Sequence, residues 1–182
     1  TTQCRSGRVC SAVTFNGATA FATDPANGTC YATWTGAFAT WGAAEASCAA
    51  VGGHLVTITS AAEQARVATV HLGVPWIGAT EDSNDTDAVF DWFGPEAWSF
   101  TAYAPGEPDD DAAFGGAGEC LAMINASAQW GDTNCDYVGY VDGRICEFPA
   151  NPCGDGVVEV GEACDDGNTS PSDGCSATCT VE

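Results

Sequence analysis

Gly53-His54-Leu55-Val56-Thr57-Ile58-Thr59-Ser60-Ala61-Ala62-Glu63 carries the clearest local signal in the chain. Leu55 to Thr59 reads as a strand. Ser60-Ala61-Ala62-Glu63 then forms a capping box, in which a serine hydroxyl accepts from the amide three residues on and the glutamate reaches back to the start of the helix. A helix from there to about Val70 is predicted. Immediately upstream, Thr40 to Val51 is alanine-rich with apolar residues at helical spacing, and Gly52-Gly53 stops it; this predicts a first helix. Downstream, Trp76-Ile77-Gly78-Ala79 reads as a buried strand.

Further out the signals thin. Between Cys10 and Tyr31, short strand-like pieces (Ala12 to Phe15, Ala18 to Ala22) are broken by Asn16-Gly17 and Asp24-Pro25, which predicts a hairpin. From Thr80 to Glu119 no sustained helical or strand period survives among Asp, Gly, Pro and aromatics. A loop of that length inside a compact domain is usually functional. Strands resume at Cys120 to Ile124 and from Tyr140 to Phe148. Pro149-Ala150-Asn151-Pro152 is a linker, and Cys153 to Cys179 has too few large apolar residues for a core, so disulfides or metal must hold it. The division expected is an extension at 1–9, a main domain at 10–148, a linker at 149–152 and a cysteine-rich segment at 153–182.

Composition bounds the partners. The chain has 182 residues and eleven cysteines, a count that suits an oxidising, extracellular setting. Eleven is odd, so at least one cysteine is free, pairs with another molecule, or lacks a partner beyond an end of this sequence. No run of eighteen apolar residues occurs, so neither a membrane span nor a retained signal peptide is expected. Twenty-five acidic residues against four basic ones give a net charge of −21, which excludes nucleic acid as a partner. The acids are also unevenly placed. No lysine or arginine lies between Arg66 and Arg144, while the stretch from Thr80 to Glu119 is crowded with carboxylates. Like charges so close repel unless hard, oxygen-seeking cations neutralise them, and calcium is the natural choice.

Taken in order, Gly53-His54-Leu55-Val56-Thr57-Ile58, Trp76-Ile77-Gly78, Glu107-Pro108-Asp109, Trp130-Gly131-Asp132 and Ile145-Cys146-Glu147 resemble the C-type lectin domain from about Cys10 to Phe148. The resemblance implies an α+β fold, with two helices flanking small antiparallel sheets and a long calcium-binding loop. It implies pairing of Cys48 with Cys146, of Cys120 with Cys135, and, in the long form of the family, of Cys10 with Cys30. The tail, with Cys153-Gly154-Asp155-Gly156, Cys164-Asp165-Asp166-Gly167-Asn168 and Asp173-Gly174-Cys175-Ser176, is similar to a cysteine-rich repeat of myxobacterial surface proteins, which points to a bacterial source. Disulfides rather than zinc are expected there, because the spacing gives no paired C-x-x-C knuckles.

In sugar-binding members of that family a calcium sits on an acid-or-amide, cis-proline, acid-or-amide tripeptide. The resemblance places Glu107-Pro108-Asp109 there, with Asp132 and Glu119 completing the ligand set. A second calcium would draw on Glu81, Asp82, Asp85, Asp110 and Glu119. Calcium takes six to eight oxygens, so an ion with an open face can accept two vicinal sugar hydroxyls. This chain departs from the family pattern in two ways. Asp109 stands where mannose-type readers carry asparagine, and Gly131 stands where an asparagine usually follows the tryptophan. Both remove amide donors. Glu107, Asp109, Asp132, Tyr103 and Phe114 are the candidate ligand contacts. Trp76, Trp92, Trp130 and Phe148 are assigned to the core, and His54 to structure. No catalytic residue is expected: abundant carboxylates superficially resemble a glycosidase, but nothing suggests an acid kept neutral in an apolar pocket. The sequence therefore predicts a secreted or surface-associated calcium-dependent glycan binder. A calcium-stabilised module that binds protein or another surface is the alternative.

Overall fold

The computed structural model describes residues 2–3, 9–10, 16–36, 40–81, 89–109, 119–136 and 139–148, and, in the tail, 163–164, 166, 168, 170, 174–176 and 181. Strands β1 (Thr2–Gln3) and β2 (Val9–Cys10) form a small antiparallel sheet of their own. They are followed by β3 (Ala20–Thr23), β4 (Cys30–Thr35), helix α1 (Trp41–Ala49), β5 (His54–Leu55), helix α2 (Ala61–Val67), β6 (Pro75–Glu81), β7 (Phe90–Trp92), β8 (Glu119–Met123), β9 (Trp130–Asn134) and β10 (Gly143–Phe148). The main sheet runs β3-β4-β10-β6-β8-β9, with β5 beside β10 and β7 beside β6. All its pairings are antiparallel except β10 with β6. This is the α+β architecture expected.

Both helices start where side-chain caps place them. Thr40 Oγ1 accepts from Ala43 N and Ser60 Oγ accepts from Glu63 N, each with the cap residue in extended backbone. Such caps are worth about 1 kcal/mol apiece. Helix α2 is shorter than predicted: it ends at Val67, and Ala68 to Val70 continue as a turn.

Several strand expectations need correction. Of the predicted 55–59 strand only Leu55 lies in a ladder, together with His54 before it. Val56 bonds to Ile145 O on one side and accepts from Gly78 N on the other, so the segment is wedged between β10 and β6. The last strand begins at Gly143, not Tyr140. In the N-terminal region Ala12–Phe15, half of the expected hairpin, lies outside the described residues, and β3 pairs with β4, Ala20 opposite Thr33 and Thr23 opposite Cys30.

The core divides around the sheet. Trp34, Trp41, Leu55, Trp76 and Phe148 pack with Cys48 and Cys146 on one side, and Tyr31, Ile58, Ile77, Leu121, Met123, Trp130 and Ile145 on the other. Trp76, Trp92, Trp130 and Phe148 are all buried, which settles them as core rather than sugar platforms. Cys48–Cys146 ties α1 to β10 across a separation of 98 residues. A cross-link closing a loop that long stabilises by roughly 4–5 kcal/mol on the chain-entropy account. Cys120–Cys135 joins β8 to the end of β9. Cys30 is also disulfide-bonded, and the side chain of Cys10, its expected partner, lies outside the described residues. In the tail Cys164 pairs with Cys175, as expected of a disulfide-held segment.

Candidate functional site

Three carboxylates meet where the long loop returns over β9. The loop is anchored by Tyr103, which bridges to Trp130 in parallel, with Trp130 N donating to Ala102 O and Ala104 N donating to Trp130 O. Pro105-Gly106 then turns the chain. Glu107 N bonds back to Ala104 O, and Gly106 takes φ +99°, a conformation glycine adopts without steric cost. The turn delivers Glu107 onto β9, and the Glu107–Pro108 peptide is cis, as the tripeptide reading expected. Asp109 N donates to Asp132 Oδ1 at 3.1 Å, which fastens the loop to the strand. Glu107, Asp109 and Asp132 each offer an oxygen, and these oxygens all lie within 4.8 Å of one another.

The strand side of the site rests on a large apolar cluster. Trp130 is fully buried, with its ring edge-on to Trp92 at 5.5 Å and to Tyr103 and Phe100 at 5.9 Å. Its Nε1 donates to Gln64 Oε1 on α2, and Gln64 Nε2 donates to Ala128 O. Two residues on, the chain emerges from this core with Asp132 half-buried. Asp132 lies opposite Leu121, and Glu119 lies opposite Asn134. Glu119 is therefore the diagonal neighbour of Asp132 on one face of the sheet, within reach of it.

Electrostatics bind the group together. Burial and a hydrogen bond with Asp132, then the like charges of Asp109 and Asp132, push the Glu107 carboxyl up to about 7. Asp132 moves the other way. Burial opposes its charge, but hydrogen bonds from Glu119 and Glu107 and from backbone amides hold it below the usual carboxylate range. Carboxylates that must share protons to coexist are a group for which a divalent cation substitutes well. Oxygen-only donors suit a hard ion such as calcium, so the residues present fit the metal that the sequence implied.

Other expected residues fall as follows. Glu119 is buried and hydrogen-bonded to Asp132. Glu81 is buried at the end of β6. Asp82, Asp85, Asp110 and Phe114 lie outside the described residues. Tyr103 is half-buried, and burial together with the Asp132 charge pushes its phenol up to about 12. Gly131 has a role the sequence reading missed. A Cβ there would sit 2.6 Å from Ile124 Cδ1 and 3.1 Å from Glu107 Oε2, so Glu107 occupies the space over the strand that a side chain would need. Close approach of backbone to a neighbour is a known use of glycine, but which neighbour is not written in the sequence.

Comparison with known proteins bears on the family and the fold. The family described as "Lectin C-type domain" matches residues 38–148. Rat versican core protein is 36% identical over 100 residues, 54% of this chain and only 4% of versican, so the chain spans a small part of that relative. A type-2 ice-structuring protein from Hemitripterus americanus is 32% identical over 97 residues, 53% of this chain and 56% of that protein. Among solved structures, the cow C-type carbohydrate-recognition domain of CD23, crystallised in the presence of a GlcNAc2Man3 oligosaccharide, superposes with a TM-score of 0.56 at 30% identity. That superposition covers 68% of this chain and 89% of the other. A calcium-independent type II antifreeze protein shares the fold at 24% identity and a TM-score of 0.56, covering 78% and 95%. The matched span stops at Phe148, short of the cysteine-rich tail. Among the described residues no helix is long and apolar enough to cross a membrane.

Proposed function

This chain belongs to the C-type lectin domain family, a family of binding modules rather than enzymes, and on that footing we propose that it is an extracellular calcium-dependent carbohydrate-binding protein. Glu107, Asp109 and Asp132 hold the calcium, and two vicinal hydroxyls of a glycan complete its coordination. The convergence of those three carboxylates within 4.8 Å carries the reading. Calcium supplies the positive charge and the open coordination positions; the chain supplies everything else. The Ala104–Glu107 turn aims Glu107, the Asp109 amide locks the loop to Asp132, and Glu119 orients Asp132 through a hydrogen bond. Glu119 was expected as a direct ligand, and its contact with Asp132 supports a positioning role as well. A second calcium would use Glu81 and Glu119 with Asp82, Asp85 and Asp110.

Gly131 and the absence of an amide in Glu107-Pro108-Asp109 favour a second reading, a calcium-stabilised module that binds protein or another surface without reading sugar. Calcium titration by calorimetry, followed by a glycan array with and without chelator, separates the two. Calcium uptake with chelator-sensitive glycan retention supports the lectin reading. Calcium uptake with no retention supports the second, and no calcium uptake overturns both.

A further inference from the structure

We infer that the site discriminates by charge, accepting neutral vicinal-diol saccharides and rejecting acidic ones such as uronates. The inference rests on the lectin reading above and names the substrate class for that same site. Its first support is the donor inventory. Glu107, Asp109 and Asp132 are carboxylates, and carboxylates in the ionised state accept hydrogen bonds and donate none. A ligand hydroxyl can give them its proton. A ligand carboxylate has nothing to give and finds no side-chain donor among the three groups it would face.

Strand β9 cannot readily supply the missing donor. The position beside Asp132 is Gly131, where a Cβ would fall 2.6 Å from Ile124 Cδ1 and 3.1 Å from Glu107 Oε2. A side chain there would require Ile124 to move and Glu107 to give way slightly, so the packing at this position favours a glycine and leaves no amide beside Asp132. The acceptor-only character is thus built into the packing of the strand under the loop.

Net charge points the same way. Three carboxylates outnumber the two charges of a calcium ion, so the loaded site stays negative. Asp110 and Asp111 follow Asp109 directly in the chain, and the whole protein carries −21. An anionic sugar therefore meets repulsion at long range on approach, and at short range when it docks. Salt should weaken the long-range part.

Matched pairs test this with the full chain. Methyl glycosides of glucose and galactose are compared with those of glucuronic and galacturonic acid, which differ only in oxidation of C6. Binding is measured by calorimetry with free calcium held at a level that saturates the protein. The neutral member of a pair should bind at least about 5-fold more tightly at low ionic strength, and the ratio should shrink towards about 2-fold at 0.5 M salt. Asp109→Asn, calcium-saturated, should narrow the low-salt ratio. Equal or tighter uronate binding overturns the inference while leaving the lectin reading intact, as does a ratio unchanged in D109N. Calcium uptake with no binding of either sugar overturns the lectin reading, and this inference with it.

Discussion

Two groups of carboxylates in this molecule do opposite things with the same chemistry. Beside helix α2, Glu63 accepts from Thr59 N, Thr59 Oγ1 and the Tyr31 hydroxyl, and Glu147 on β10 accepts from Thr57 N and Oγ1. The protein itself supplies the donors. At the loop, Glu107, Asp109 and Asp132 face one another, and much of their hydrogen bonding is among themselves. Acidity alone therefore does not mark a cation site. What sets the loop group apart is that its acids face one another.

The sharpest break of this contrast is removal of charge at the loop. Glu107→Gln with Asp132→Asn should abolish calcium uptake by calorimetry, a loss of at least about 100-fold in affinity. Wild-type protein in calcium at a hundred times its Kd should gain about 2.7 kcal/mol over protein in chelator, which is a melting shift of roughly 5–10 °C in a chain of this size. The double variant should show no shift. At the helix, Tyr31→Phe removes a donor instead of a charge. It should cost about 1–3 kcal/mol in denaturant unfolding and leave calcium uptake intact. Equal loss of calcium binding in that variant would mean that the two groups are not independent.

Glu119→Gln sharpens the comparison at its boundary, because Glu119 reaches the loop group through its hydrogen bond with Asp132. A 3- to 10-fold loss of calcium affinity is expected, well short of the double variant. The smallest effect is in pH. Burial, with the like charge of Glu63 adding, pushes the Glu147 carboxyl up to about 7 against an ordinary 4.5. A folded state that holds the proton more tightly than the unfolded one gains stability that is fully present below about 4.5 and is lost as pH rises through 7. In chelator, melting of the wild type should fall across pH 5 to 8 more steeply than that of Glu147→Gln. Parallel curves would mean that Glu147 is not held protonated.

The two groups also differ in how far the sequence exposed them. Glu107-Pro108-Asp109 and Asp132 after a tryptophan were singled out by the family resemblance, and these three carboxylates do converge. The capping box at Ser60 was legible, because its partners are three residues apart. The Thr57–Glu147 bonds span 90 residues and left no local trace. Strand β4 was missed because Cys30 to Trp34 is buried without a break, which erases the two-residue alternation. Strand β7 has only three residues, too few to show a period. The diagonal contact of Glu119 with Asp132 depends on the register of β8 with β9, and the crowding at Gly131 depends on where the loop lands. Both are tertiary facts.

Cys48–Cys146 has a further consequence wherever the chain meets a protease. Any single peptide cleavage between the two cysteines, the whole long loop included, leaves two fragments still joined as one covalent object. A nick beside Glu107 would thus disarm cation capture without shedding either half, and would show as two bands only on a reducing gel.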